Sequence, residues 1–166
     1  MMKRILAVAV GLLLSYGAAA SHAPFGLEWG QKISDVPFID KSKCEIDEFE
    51  TVCTFKDRTV LNEWTYSGEL KFDESGLIEA SNVIVGVKDY YPDFNNFKIN
   101  LSKELKYLKS IGFEDNGIAE IIKLCSTLDT CDKATASSKT RYGTVEYISM
   151  KDPLTDSATA IVAYSK

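Results

Sequence analysis

Four cysteines in two close pairs constrain this chain more than any other feature: Cys44 with Cys53, and Cys125 with Cys131. The spacings, C-x8-C and C-x5-C, lack the short knuckles that zinc prefers. There is also no C-x-x-C and no activating base beside any of them, which a redox-active thiol requires. An even count in an exported chain reads as two structural disulfides. Three pairings are open, and loop closure favours the local one, Cys44–Cys53 with Cys125–Cys131. The stretch "CEIDEFETVC" then forms a stapled hairpin. With residues 47–50 as a four-residue loop, Ile46 faces Thr51 and Cys44 faces Cys53. Opposed Cβ atoms in an antiparallel pair lie roughly 4.5–5.5 Å apart, close to the roughly 3.5–4.5 Å that a disulfide needs. Glu45, Asp47, Glu48 and Glu50 give the tip four negative charges.

Export is read from the first residues. Lys3 and Arg4 precede an apolar run from Ile5 to Leu14, and Ala18 and Ala20 supply small residues before a cut. This is the layout of a secretory signal peptide over residues 1–20. Ten apolar residues reach roughly 15 Å as a helix, about half the thickness of a bilayer core, so a membrane anchor is the weaker reading. The remaining residues, 21–166, are long enough for one domain with its own core. They carry 17 basic against 24 acidic residues, a net charge near −7. Such a balance argues against nucleic acid and anionic membrane as partners. A soluble periplasmic protein is expected.

Periodicity gives the fold class. In "WTYSGELKF", Trp64, Tyr66, Gly68, Leu70 and Phe72 alternate with Thr65, Ser67, Glu69 and Lys71, as in a half-buried antiparallel strand. "DESG" turns the chain, with Gly76 in a left-handed conformation, so that Phe72 faces Ile78 and residues 77–87 return. Phe94, Phe97, Leu101, Leu105 and Leu108 make one apolar stripe of a long helix, capped by Asp93 and ended by Gly112. Residues 117–128 suggest a second, short helix. "DKATASSKT" reads as a polar loop. Residues 142–150 and 157–164 read as a final hairpin. The expectation is an α+β domain: an antiparallel sheet of about six to seven strands packed against one long helix.

"FGLEWG" reads as a strand at the edge of the core, alternating Phe25, Leu27 and Trp29 with Gly26 and Glu28. Its F-G-x-x-W-G pattern resembles the opening of many small exported proteins of Gram-negative bacteria. That resemblance implies an α+β cell-envelope domain in a group whose roles are mostly unassigned, and it brings no catalytic residue. In that pattern a helix follows the second glycine; here "QKISDVPF" reaches Pro37 after about one and a half turns, which cuts any helix short.

The chemistry is bounded mainly by exclusion. The one histidine, His22, sits at the start of the mature chain. A Ser-His-Asp or Cys-His arrangement and a His-based metal site each need a positioned imidazole. No Ser-x-x-Lys, G-x-G-x-x-G, P-loop or EF-hand loop occurs. No catalytic residue, metal ligand or cofactor is therefore assigned. A carboxylate-based hydrolase stays open only because acidic residues are many. The expected function is non-enzymatic binding of another protein, as by an inhibitor or immunity protein acting on a toxin or hydrolase. A basic partner would suit the acidic hairpin, and Tyr90 and Tyr91 in "DYYPDF" would add contact area. The alternative is a small-ligand or envelope-component binder with an apolar pocket between sheet and helix.

Overall fold

The computed structural model describes residues 21–166; the signal-peptide reading concerns residues 1–20 and lies outside them. The chain forms an α+β domain. Its elements are β1 (Cys44–Ile46), β2 (Thr51–Phe55), β3 (Ser67–Asp73), β4 (Gly76–Val85), a small hairpin of β5 (Val87–Lys88) and β6 (Tyr91–Pro92), α1 (Phe94–Ile111), α2 (Asp115–Leu124), α3 (Leu128–Cys131), β7 (Thr135–Thr140), β8 (Gly143–Lys151) and β9 (Ala158–Ser165). Seven strands make one antiparallel sheet in the order β1-β2-β3-β4-β9-β8-β7.

Strand pairing explains which face is buried. Cys44, Cys53, Leu70, Ala80, Tyr164, Val145 and Ser138 are successive direct partners across all seven strands. Directly paired residues share a face, and all of this row except the half-buried Cys44 is buried. The α1 stripe of Phe97, Leu101, Leu105 and Leu108 is buried as well, and α1 packs against β4 and β9 on the same side. The N-terminal segment joins that layer through Phe25, which meets Phe55 and Tyr164 edge-on at centroid distances of 5.4 and 6.4 Å. The opposite sheet face carries Lys71, Glu79, Glu146 and the partly exposed Ile148.

The local signals with the most chemistry behind them hold. The 44–53 hairpin has the expected register, Ile46 to Thr51 and Cys44 to Cys53. Both local disulfides are formed. Asp93 caps α1 by accepting from the Asn96 amide at 2.7 Å, and Gly112 ends it at φ 104°. Along β3–β4, Leu70 faces Ala80 as the alternation predicts.

Several expectations are corrected. The β3–β4 turn closes one residue tighter, with Asp73 opposite Gly76 and Phe72 opposite Leu77, and a bulge beyond Lys71 restores the expected register. Ile78 is thus not the partner of Phe72. Residues 64–66 precede β3, so Tyr66 is 46% exposed rather than part of the buried face. "FGLEWG" is not a strand. Phe25, Gly26 and Gly30 all have positive φ, and the segment folds into a 3-10 turn closed by a single bridge between His22 and Glu28. Its alternation survives only as the burial of Leu27 and Trp29. After it, "QKISDVPF" makes a 3-10 turn at Ile33–Asp35. The second helix begins at Asp115 and ends at Leu124, and "DKATASSKT" is largely β7, an edge strand that needs backbone pairing on one side only.

Candidate functional site

The acidic hairpin lies at the β1 edge of the sheet, and its four carboxylates are not equivalent. Asp47 accepts from the backbone amides of Phe49 and Glu50 at 2.8 Å each. Those bonds hold its carboxyl below the ordinary range, so Asp47 serves the turn itself. Glu50 pairs with Lys71 at 3.6 Å. Glu45 and Glu48 have no such partner among the described residues. Among the four acids stand two side chains that the run obscures: Ile46, after Glu45, and Phe49, between Glu48 and Glu50, each 76% exposed.

Tyr90 and Tyr91 lie elsewhere. The hairpin tip adjoins the β3–β4 turn, because Thr51 pairs with Phe72. The tyrosines follow the opposite end of β4, which is ten residues long. The two regions are therefore separated along the strands by roughly 30 Å. The structure does not bring them into one site. Nor do the tyrosines pack where sheet meets helix: Tyr90 is 98% exposed and Tyr91 75%. Asp89 and Tyr90 are the two central residues of the β5–β6 turn, with φ of 49° and 71°. Both positive angles mark the tight hairpin turn that ordinarily selects Asn-Gly. The β8–β9 loop ends at the same end of the sheet, since Val85 pairs with Thr159 and Lys151 with Ala158. That loop carries Leu154, 91% exposed.

The covered face holds a polar group that the helical stripe does not announce. Glu104 on α1 is fully buried. It accepts from Trp64 Nε1 at 2.6 Å and from Asn82 Nδ2 at 3.2 Å. Burial pushes its carboxyl up, while the two donors pull the other way. Tyr164 and Tyr147 beside it are also raised by burial, Tyr147 to about 12. With no accessible surface, this carboxylate is not placed to meet a substrate. It organises the contact among α1, β4 and the loop before β3.

Among the described residues, no group of three or more His, Cys, Asp and Glu side chains is arranged to hold a metal ion. His22 is exposed and contacts Glu28 at 2.6 Å. No helix among the described residues is long and apolar enough to cross a membrane. Two disulfides fit an oxidising, exported setting. Comparison with protein-family models, with curated proteins and with solved structures finds no match. The surface must therefore be read from its own chemistry. Sequence reasoning missed Phe49, Ile46 and Leu154. Phe49 could have been found by asking which apolar residue the four-residue loop leaves without a neighbour, and Ile46 by its place on a short edge strand opposite the polar Thr51. Leu154, between Pro153 and Thr155 in a polar turn, carried the same signal as Phe49.

Proposed function

We propose that this is a non-enzymatic periplasmic protein that docks onto another protein, as an inhibitor or immunity protein does, through the end of the sheet that carries Tyr90, Tyr91 and Leu154. The observation that carries the reading is Tyr90, 98% exposed on a backbone with φ 71°. A left-handed conformation costs an ordinary residue about 1–2 kcal/mol, and a tyrosine with no burial recovers none of it. Strain kept at an exposed aromatic residue is understandable where that residue has a partner. Tyrosine suits the role, since it is enriched among the few interface residues that dominate affinity and loses little side-chain freedom on binding. Val87, 51% exposed, lies in the same hairpin and extends the apolar area.

The acidic hairpin supports a second contact. Its staple reduces the ordering cost of binding, and Phe49 offers an apolar anchor next to Glu48, which like Glu45 has no ion-pair partner among the described residues. A partner for this tip would be basic around an apolar pocket. The two contacts differ in their response to salt, because screening weakens exposed charge pairs and leaves apolar contact largely intact.

The experiment is capture from an envelope extract with the wild-type domain as bait, followed by affinity measurement with the captured protein. The double variant Tyr90→Ser, Tyr91→Ser should bind at least about 30-fold more weakly, the scale of a lost hot spot. The variant Glu48→Ser, Phe49→Ser should lose less, and its loss should shrink as salt rises. Equal affinity of the tyrosine variant and the wild type would overturn the assignment of the contact surface.

A further inference from the structure

α1 and α2 lie on the same side of the sheet without closing on each other. Between them runs an open groove of about 520 Å³. Its floor is Leu101 and Leu105, and its far wall is Ile118 and Ile122. Leu101 and Leu105 belong to the stripe that packs on the sheet, so the floor is fixed by the core. Ile122, however, is 57% exposed on a short helix, an expensive position for a β-branched apolar side chain. The volume falls within the roughly 300–1,000 Å³ of sites that enclose small ligands.

The near wall gives the ligand its charge. Lys98, Lys106 and Lys109 of α1 line the groove. Lys109 is engaged by Asp115 at 2.8 Å. Lys98 lies over the Phe94 ring at 5.1 Å from its centroid, and neither it nor Lys106 has a carboxylate within 4.0 Å among the described residues. The two lysines are eight residues apart, so their backbone positions are separated by about 12 Å along the helix, beside an apolar trench. They lie in a domain whose overall charge is near −7, with 17 basic and 24 acidic residues over 21–166. An apolar slot with a cationic border on one side matches a molecule with an alkyl chain and an anionic head.

We propose that the α1–α2 groove binds a free single-chain anionic amphiphile, its alkyl chain against Leu101, Leu105, Ile118 and Ile122 and its carboxylate, sulfate or phosphate head on Lys98 or Lys106. The site is on the helical layer, between two helices and not between sheet and helix. It does not depend on the tyrosine surface, and its failure would leave that surface untouched.

The test is calorimetric titration of the purified protein with dodecanoate below its micelle concentration, with decanoate and dodecyltrimethylammonium alongside. Dodecanoate should bind one to one. Decanoate, shorter by two methylenes, should bind roughly tenfold more weakly. The trimethylammonium compound should bind several-fold more weakly than dodecanoate, and the double variant Lys98→Glu, Lys106→Glu should reverse that order. Ile122→Asp should abolish binding of both. Ile122 and the two lysines are surface positions, and unchanged circular dichroism of each variant keeps these outcomes interpretable. Absence of dodecanoate binding overturns the proposal. So does equal affinity for the cationic compound, binding only to vesicles of anionic phospholipid, or binding of an acidic amphipathic peptide where dodecanoate does not bind.

Discussion

Trp64 donates its indole N–H to the Glu104 carboxylate at 2.6 Å, joining the loop before β3 to the buried side of α1. Asn82 of β4 completes the arrangement at 3.2 Å. Among the described residues no cation reaches this buried carboxylate, and the two donors hold it in place. Trp64→Phe keeps most of the ring volume and removes one of them. The variant should lose about 1–3 kcal/mol of stability in urea unfolding, the scale of an unsatisfied buried polar group. The loss should be smaller when the same change is made in a Glu104→Gln background, because a neutral amide tolerates the missing donor better. An equal loss in both backgrounds would mean that Trp64 acts by packing alone.

Glu104 also makes stability depend on pH. Burial raises its folded value above the ordinary 4.5. The folded state therefore holds the proton more tightly than the unfolded state does. The stability linked to that proton is present below the unfolded value and is lost as pH rises through the folded one. Tyr107, Tyr147 and Tyr164, the other titrating groups nearby, are all raised and stay protonated across this window. Glu104→Gln cannot ionise and escapes the loss. Its stability relative to wild type should therefore grow as pH rises above the ordinary 4.5 and level off once the folded value is passed. Urea midpoints for both proteins across that range measure the difference, and a flat difference would reject the assignment.

The parts of the fold legible in the sequence are those set by neighbours in the chain. The 44–53 register follows from a four-residue loop and the demand that Cys44 meet Cys53, and the ends of α1 follow from Asp93 and Gly112. What was not legible depends on distant partners. Glu104 lies on the same helix face as Leu101 and Leu105, and its burial makes sense only once Trp64 and Asn82, 40 and 22 residues away, are seen to reach it. "TASSKT" has no apolar period, because an edge strand can be held by backbone pairing with β8 while only Ser138 turns fully inward. "FGLEWG" has a strand period but bends, since Gly26 and Gly30 permit positive φ and Trp29 is drawn in to donate to the Tyr142 carbonyl at 2.9 Å. For the surface, the sequence displays charge and not exposure, so nothing in it separates Asp47 and Glu50 from Glu45 and Glu48.

The two disulfides should differ in what their removal exposes. Each closes a short loop, worth about 2–3 kcal/mol in the chain-entropy description. Cys125 and Cys131 are buried beside Ser149, whereas Cys44 is only half-buried at the sheet edge. Replacing Cys125 and Cys131 with serine adds two buried hydroxyls to the lost closure and should cost more than the same change at Cys44 and Cys53. Guanidinium unfolding of the two double variants provides the comparison. Peptide mapping without reductant should yield only the two local pairs, and a fragment linking the 44–53 and 125–131 regions would contradict the structure.

The strained tyrosine gives a test that separates stability from binding. Asparagine adopts the left-handed conformation more readily than tyrosine does and lacks the entropy cost of glycine. Tyr90→Asn removes a side chain that is 98% exposed, so almost no burial is lost with it. The variant should therefore be more stable than wild type, by about 0.5–1 kcal/mol, if the backbone strain is relieved. The same variant should bind the captured partner far more weakly, because the aromatic anchor is gone. Gain in stability with loss of binding is the pattern expected where strain is retained for contact. The measurements are a urea midpoint and a dissociation constant on the same preparation. A destabilised variant would show that Tyr90 supports the fold after all, and a stabilised one that still binds as wild type would move the contact to Tyr91 and Leu154.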